Sequence, residues 1–378
     1  MADEAEVFAN RLVWVHSRTG KQGTIFQSRV LGADDQTLVI AQPYRQGRIV
    51  VYNAGQTVIL RMQDPEAQEG PGPEYPVQVL ERRLRPLPSL VLTLTPDLVR
   101  ALRGQSGRYA KVVAITSGKG GVGKTTLTVN LGIALAQAGV KTSIIDADLG
   151  LANVDVMMKI DAPYNLNHLI NGERALREIV LEGPHGLRVV PGGSGLSELA
   201  NLNEWQFGRL VASLTELERE ADLILIDTGA GLSRNVTNFF LAADDVVVVT
   251  NPEPPATLDA YGVLKVVGEQ GRRHGVKLVV NRAQNPNEAS LVAEKLAETA
   301  KRFLGIEVTY LGPVLEDQMV VSAVKRQKPL LLHYNASVAG QGIKRLARQL
   351  QPSPEAELQA GGERLGFFQR LRQLFANP

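Results

Sequence analysis

One stretch decides the fold of this 378-residue chain: Ser117-Gly118-Lys119-Gly120-Gly121-Val122-Gly123-Lys124-Thr125-Thr126. It matches the pattern G-x-x-x-x-G-K-[ST], in which Gly118 and Gly123 are the fixed glycines. A strand-like run, Lys111–Thr116, precedes it, and a helical run from Lys124 to Ala138 follows. In that context, backbone N–H groups and the positive end of the helix bind phosphate oxygens. The context favours a phosphate-binding loop over a flexible glycine turn.

The residues of this loop are expected to contact the phosphates of ATP or the Mg²⁺ ion. Lys124 is expected to reach the β- and γ-phosphates, and the Thr125 hydroxyl is expected to bind Mg²⁺. The remaining residues expected to contact ATP are Gly118, Lys119, Gly120, Gly121, Val122, Gly123 and Thr126. The loop therefore predicts a site for ATP and Mg²⁺.

The order of apolar and helical segments around the loop predicts an α/β fold. Strand-like runs alternate with helical segments, and these runs are Lys111–Thr116, Lys141–Asp146, Leu187–Val190, Leu223–Asp227, Asp245–Thr250, Lys277–Asn281 and Val308–Leu311. Nearly continuous Val, Ile and Leu are expected where helices cover both faces of a parallel sheet. We expect a mostly parallel sheet over residues 111–350, with a last helix near Ala336–Leu350.

Aspartates end two of the predicted strands. Asp146 and Asp148 close one strand, and Asp227 closes another. Strand ends in open α/β sheets face the ligand crevice, so these carboxylates should lie near the phosphates. Asp227 is expected to hold Mg²⁺ through water, with Asp146 supporting the metal shell. Taken alone, each aspartate could instead cap a helix or form a turn.

The first 98 residues have a different character. Short β-branched runs separated by turn residues are Thr24–Val30, Thr37–Ala41, Arg48–Tyr52, Gln56–Gln63, Val77–Leu84 and Leu90–Thr95. Six strands in so short a segment predict a small antiparallel β-barrel domain over residues 1–98, with Asp64–Pro76 as a long loop. Residues 99–110 are expected to link it to the α/β domain.

Composition limits the chemistry and the location. The chain has no cysteine, which excludes disulfides and thiolate metal sites. Its five histidines are scattered without metal-ligand spacing, and its net charge is only +2. The acidic N-terminus lacks a secretory pattern, and no apolar run approaches the roughly 20 residues of a spanning helix. We expect a cytoplasmic protein that contacts membranes only peripherally, at the inner face of the cell membrane.

The lysine after the first glycine, Lys119, carries a family resemblance. The string from Lys119 to Thr126 resembles the deviant Walker A motif of MinD, ParA, FlhG/FleN and nitrogenase iron protein. The resemblance implies a MinD-like (SIMIBI) P-loop fold and an ATPase that dimerises when ATP is bound. It implies that Lys119 crosses the dimer interface to neutralise the partner's phosphates, as an arginine finger does elsewhere. It also implies that Asp148 orients the attacking water, which makes Lys119, Lys124 and Asp148 the catalytic set.

Several strings are similar to the flagellar-number regulators FlhG/FleN (YlxH type) in particular. They are Asp146–Asp155, Gly183–Gly195, Asp227–Gly231 and Pro252–Tyr261. By this resemblance, Asp155 belongs to a first switch, Asp148–Asp155, and Gly229 and Gly231 belong to a second switch, Asp227–Gly231, and both segments respond to hydrolysis. Family members also bracket adenine at places that correspond here to Asn281, Arg282 and Pro313.

The N-terminal part of the chain differs from the FlhG/FleN pattern. The short DQA-x-x-LR helix with which FlhG proteins stimulate the GTPase FlhF is missing, so stimulation of an FlhF-type GTPase is an open question. The barrel instead resembles the N-terminal domain of YcgR-type flagellar brake proteins, in a stretch with Gly55–Val58 and Pro88–Leu94. The resemblance implies flagellar basal-body proteins as partners.

The C-terminal segment, residues 364–378, follows a polar linker at 351–363 that contains prolines and glycines. On a helical wheel its large apolar side chains share an arc of about 120°. They are Phe367, Phe368, Leu371, Leu374 and Phe375. This pattern predicts an amphipathic helix that binds the inner membrane surface, as in MinD and FlhG. The alternative is a helix that packs permanently on the domain.

These observations lead to one functional hypothesis and its alternatives. We expect a slow ATPase that dimerises with ATP, binds the membrane and regulates the number or placement of flagella. One alternative is division-site selection of the MinD kind. Another is DNA partition of the ParA kind, for which the available basic residues are Arg272, Arg273, His274 and Lys277. We expect no DNA partner, because a solvated helix end explains these residues as well. A third alternative is an adaptor with vestigial ATPase activity, against which the intact loop argues.

Overall fold

The computed structural model describes residues 12–17, 25–33, 37–41, 44–45, 48–49, 52–61, 74–83, 89–93, 109–148, 153–193, 204–352 and 366–376. The chain divides into two compact units, of which the first comprises residues 1–108 and 203–208 and the second comprises residues 109–202 and 209–378. The predicted linkers, residues 99–110 and 351–363, lie almost entirely outside the described residues.

The N-terminal unit contains a closed antiparallel barrel of six strands in the order β1-β2-β3-β8-β7-β6. The strands are β1 (Leu12–Ser17), β2 (Ile25–Ala33), β3 (Thr37–Ala41), β4 (Tyr44–Arg45), β5 (Arg48–Ile49), β6 (Thr57–Arg61), β7 (Glu74–Arg83) and β8 (Ser89–Thr93). Pairing of β1 with β6 closes the barrel. Alternate residues such as Val13, Leu38 and Leu60 fill its interior, as a period of two requires.

The predicted barrel is confirmed, but one of its strands was wrongly identified. The described part of the run Arg48–Tyr52 contributes the two-residue β5, which pairs with β4 outside the barrel. The sixth barrel strand is Leu12–Ser17, which the turn pattern did not delimit. A β-branched run predicts extended backbone, but it does not say which strand will pair with it. Tyr52 instead packs in the barrel core.

The second unit is built on an eight-stranded sheet in the order β11-β12-β10-β13-β9-β14-β15-β16. Its strands are β9 (Lys111–Ser117), β10 (Thr142–Ala147), β11 (Leu181–Glu182), β12 (Arg188–Val190), β13 (Leu223–Ala230), β14 (Asp245–Thr250), β15 (Val276–Ala283) and β16 (Val308–Leu315). All neighbours are parallel except β11 and β12. The predicted strands are confirmed, and only the short β11 was missed.

Helices surround this sheet. They are α1 (Lys124–Gln137), α2 (Val154–Met158), α3 (Leu166–Asn171), α4 (Leu176–Ile179), α5 (Glu204–Glu220), α6 (Arg234–Ala242), α7 (Pro254–Glu269), α8 (Pro286–Leu304), α9 (Gln318–Lys325), α10 (Leu330–His333), α11 (Val338–Leu350) and α12 (Phe367–Ala376). Buried apolar residues of α1 and α11 pack together with central strands in one core. Among the described helices, none combines the length and apolar character needed to cross a membrane.

Candidate functional site

The predicted phosphate loop connects β9 to α1, at the carboxyl edge of the sheet. Gly121 and Gly123 have φ values of 80° and 94°, a left-handed backbone that glycine adopts without strain. Gly118 is required for another reason, because a Cβ there would collide with the backbone carbonyl of Asp259 on α7. The glycines therefore shape the loop and let α7 pack directly on its first residue.

Asp227, at the carboxyl half of β13, gathers the polar groups that begin α1. Its Oδ1 lies 2.9 Å from Nζ of Lys124, and both side chains are buried. The Thr125 hydroxyl donates to Oδ2 over 2.7 Å, and the Thr128 hydroxyl donates to Oδ1 over 3.0 Å. The residues predicted to hold phosphate and metal thus form one hydrogen-bonded cluster.

Asp146 lies beside this cluster, in register with Asp227 on the neighbouring strand. Its side chain is fully buried. Burial, together with the negative charge of Asp227, raises the pKa of Asp146 to about 7. Three backbone N–H groups donate to the Asp146 carboxylate, from Asp148, Asn153 and Val154.

The residues present fit Mg²⁺. This ion prefers hard oxygen ligands and keeps several waters, so one or two carboxylates and a hydroxyl suit it. Thr125 Oγ1 and Asp227 Oδ2 already lie within hydrogen-bond distance of one another. Asp146 and Asp227 are neighbouring carboxylates whose negative charges repel one another, and a bound cation would reduce this repulsion.

Asp148 and the second predicted switch are neighbours. A Cβ added to Gly229 would lie 3.6 Å from Oδ1 of Asp148, so the aspartate side chain reaches this glycine. Gly231 has a φ of 94° and donates its N–H to the Ser117 carbonyl. Asp155 lies on α2, and its Oδ1 is buried without a hydrogen-bond partner among the described residues. Residues 149–152 of the first switch lie outside the described residues.

Lys119 lies at the rim of the site. Its Nζ is 3.5 Å from Oε2 of Glu253, and their side chains are 42% and 60% exposed. Glu253 precedes α7, and its backbone N–H donates to the side chain of Asn251. An ion pair this exposed stabilises little. Lys119 is therefore accessible to another molecule, whereas Lys124 is buried.

The predicted base pocket combines two neighbouring strand ends. Pairing of β15 with β16 sets Asn281 opposite Val314, one residue from Pro313. Asn281 Nδ2 donates to the Val122 carbonyl over 2.7 Å, so this amide also holds the phosphate loop. Arg282 has a φ of 56°, an uncommon conformation for a residue with a side chain.

Sequence reasoning missed two polar residues of α1. Thr128 is fully buried and binds Asp227. The Asn130 amide donates to the Thr126 carbonyl and accepts the N–H of Leu331 at the start of α10. Polar residues in an otherwise apolar helix were the signal that could have found them, since buried polar groups are hydrogen-bonded.

The C-terminal helix α12 is docked on the ATPase unit. Phe367, Phe368 and Leu371 are buried, and Phe367 stacks on Phe239 of α6 at a centroid distance of 6.5 Å. Leu374 and Phe375 are partly buried.

Polar contacts accompany this packing. The Phe367 N–H donates to the buried Glu218 carboxylate over 2.6 Å. Arg370 donates to the Ala242 carbonyl and pairs with Asp244 at 2.7 Å. Burial raises the pKa of Glu218 to about 7. The docked helix agrees with the alternative of a helix that packs on the domain, and membrane binding stays a prediction.

A phosphate loop that leads into a helix, two carboxylates at adjacent strand ends and a second loop lysine define the class of the protein. It is a P-loop ATPase of the MinD/ParA class, which converts ATP and water to ADP and phosphate.

Comparison with known proteins identifies the family. Family models described as "AAA domain" and "Flagellar protein YcgR" match residues 110–273 and 10–94, respectively. The antiactivator FleN of Pseudomonas aeruginosa is 35% identical over 247 residues, which cover 65% of this chain and 87% of FleN. The flagellum site-determining protein YlxH of Helicobacter pylori is 34% identical over 264 residues, covering 69% of this chain and 89% of YlxH. The chain belongs to the FleN/YlxH family of MinD-like ATPases.

A solved structure has the same fold. The cell division ATPase MinD of Pyrococcus furiosus superposes with a TM-score of 0.54 at 25% identity, covering 64% of this chain and 98% of MinD.

Proposed function

We propose that this ATPase is a switch that regulates the number or placement of flagella. One observation carries the proposal: a single chain joins an ATPase unit similar to FleN and YlxH with a domain matched by a YcgR flagellar model. The two halves point to the same organelle independently.

The proposed switch is a homodimer that forms when ATP is bound. Lys119 is half-exposed at the rim, which supports a role in contacting the partner's phosphates. Its ammonium group would neutralise negative charge in trans, in the manner of an arginine finger. Dimer formation would thereby complete the catalytic site, and hydrolysis would separate the subunits.

Within each subunit, the buried cluster supports the chemistry. Lys124 would bind the β- and γ-phosphates after leaving its partner Asp227. Thr125, Asp227 and Asp146 would hold Mg²⁺, which neutralises phosphate charge when bound. Asp148 would orient the attacking water beside Gly229. Hydrolysis would therefore take place next to both switches and could change the conformation of each.

We further propose that α12 binds the inner face of the cell membrane when the dimer forms. Its buried phenylalanines would have to leave α6, the helix that follows the switch residues Gly229 and Gly231. This sequence of elements supports a link between hydrolysis and the tail. Two released helices in one dimer would bind a membrane far more strongly than one.

The proposed partners are flagellar basal-body proteins, reached through the barrel. An FlhF-type GTPase is a further proposed partner, despite the absence of the DQA-x-x-LR string. A pull-down with the isolated partner proteins, with and without residues 1–98, would separate contacts of the barrel from contacts of the ATPase unit.

Microscopy of a strain that lacks the gene tests the proposal. We expect altered number or position of flagella, with normal cell length. A wild-type copy should restore the pattern, whereas a Lys124→Ala copy should not. Normal flagella together with minicells or filaments would refute the flagellar role.

That last outcome would favour division-site selection, the second candidate. It is supported by the likeness to the cell division ATPase MinD. DNA partition has less support, because Arg272 donates to carbonyls at the end of α6 and Arg273 donates to the Leu304 carbonyl. Lys277 lies 3.8 Å from Asp245, and His274 lies 3.6 Å from Glu307. These contacts engage the two guanidinium groups with the backbone of the unit and pair Lys277 with a carboxylate, so fewer donors are available for phosphate contacts.

A further inference from the structure

Asp146 was predicted to support the magnesium shell, yet its contacts are made with the backbone of the first switch. Its Oδ1 accepts the N–H of Asp148 over 3.1 Å. Its Oδ2 accepts the N–H groups of Asn153 and Val154 over 2.9 and 3.0 Å. One buried carboxylate thus binds the chain on both sides of residues 149–152.

Two of the N–H groups that Asp146 accepts, those of Asn153 and Val154, lie at the start of α2. Asn153 caps α2 and Val154 is its first residue, so neither N–H has a partner within the helix. Asp146 lies at the end of β10, a strand buried along its whole length. The carboxylate therefore ties the start of α2 to a fully buried strand of the sheet.

The burial of Asp146 has a cost that these donors offset. A carboxylate with no solvent exposure beside a second carboxylate, Asp227, is unfavourable unless hydrogen bonds satisfy it. Three N–H donors offset part of that cost, because each of them lowers the pKa of Asp146 while burial and Asp227 raise it. A residue needed only to bind metal through water would not require this arrangement.

We propose that Asp146 is a positioning residue, which anchors both ends of the first switch and thereby holds Asp148 against Gly229 of the second. The Asp148 side chain is oriented from its own backbone, whose N–H is bound by Asp146. This inference rests on the catalytic role proposed for Asp148, but the anchoring can be measured apart from it.

Amide hydrogen exchange of the full chain, without nucleotide or Mg²⁺, tests the anchoring directly. In the wild-type protein the N–H groups of Asn153 and Val154 should be protected, although unpartnered amides at a helix start exchange quickly. Rapid exchange of both would overturn the proposal. This measurement needs no variant and so does not depend on whether a variant folds.

The Asp146→Asn variant tests the consequence. It should exchange these two amides about tenfold faster or more, since an amide NH₂ donor replaces one of the two oxygens that accept backbone N–H groups. The rate constant of ATP hydrolysis should fall by up to about 10²-fold, because a small displacement of a catalytic group has that effect. Binding of a fluorescent ATP analogue, measured without Mg²⁺ so that the metal role of Asp146 does not enter, should change little. An unchanged rate constant, or unchanged exchange with a higher Mg²⁺ requirement, would reject the positioning role.

Asp148→Asn is the matched control. It removes the carboxylate proposed to orient water but keeps the backbone N–H that Asp146 binds. Hydrolysis should be lost, while Asn153 and Val154 stay protected. If this variant hydrolysed ATP normally, the catalytic proposal for Asp148 would fail, yet the exchange result would still decide whether Asp146 anchors the switch. Loss of protection in the control would count against Asp146 as the anchor.

Discussion

Lys124 and Asp227, which lie 103 positions apart in the chain, form a buried ion pair with an N–O distance of 2.9 Å. The lysine expected to bind phosphate and the aspartate expected to bind metal neutralise one another. Nucleotide binding must therefore exchange one set of charge contacts for another. This requirement gives a first prediction about stability.

Replacing Lys124 with Ala should abolish ATP binding and also destabilise the nucleotide-free protein. It would leave Asp227 buried without its cation, and breaking one side of a buried pair costs about 3 kcal/mol. The Thr125 and Thr128 hydroxyls would still donate to the carboxylate, which limits the loss. Urea unfolding without nucleotide measures it. A free energy of unfolding equal to that of wild type would contradict the pairing.

Gly118 should tolerate alanine poorly because of α7. A Cβ at this position collides with the backbone carbonyl of Asp259, which cannot rotate away. We expect Gly118→Ala to lower the free energy of unfolding by about 1–3 kcal/mol, the usual effect of overpacking. Gly120→Ala is the matched control, because nothing lies within 4 Å of a Cβ there. Its change should stay within about 0.5 kcal/mol, and equal effects of the two would refute the explanation.

Lys119 should matter for turnover and not for stability. Its side chain is exposed, so Lys119→Ala should unfold at the wild-type urea concentration and still bind ATP as a monomer. Loss of a cation supplied in trans should lower the rate constant of hydrolysis about 10³-fold or more. Sedimentation should show no dimer with ATP. Lys265→Ala removes another exposed lysine, which pairs with Glu269, and should leave the rate unchanged. Normal turnover in Lys119→Ala would rule out the trans contact.

Docking of α12 should depend on pH through Glu218. Burial raises its pKa from 4.5 to about 7, against the lowering effects of the Phe367 N–H and Arg370. The folded protein with α12 docked therefore binds the proton more tightly than the unfolded chain does. The contribution of Glu218 to the free energy of unfolding is fully present below pH 4.5 and is lost as the pH rises through about 7. The decline is on the order of 3 kcal/mol.

The Glu218→Gln variant isolates this effect. Glutamine keeps the shape and an oxygen acceptor for the Phe367 N–H, but it does not titrate. Urea unfolding of wild type and variant should diverge between pH 4.5 and 7. Asp146 titrates in the same range, so the difference between the two proteins is the relevant quantity. Parallel pH profiles would mean that Glu218 does not control docking.

The sequence left the orientation of some side chains open. No basic DNA-binding face was expected at Arg272 and Arg273, and their guanidinium groups donate to backbone carbonyls of the unit. Charge in a sequence does not show which way a side chain points. The strand predicted at Arg48–Tyr52 differs from the structure in its described part, where Arg48–Ile49 pairs outside the barrel, because β-branched residues favour extended backbone without selecting a partner strand.

The sequence by itself determined the phosphate loop, the parallel sheet and the family. These features depend on local requirements, such as glycines at left-handed positions and continuous apolar strands, which a short window of residues expresses completely. Only the tertiary structure decided that Lys124 pairs with Asp227, that Asp146 binds the backbone of Asn153 and that Phe367 docks on α6. Those contacts follow from strand order and packing, which bring together residues whose separation in the chain carries no information about their distance.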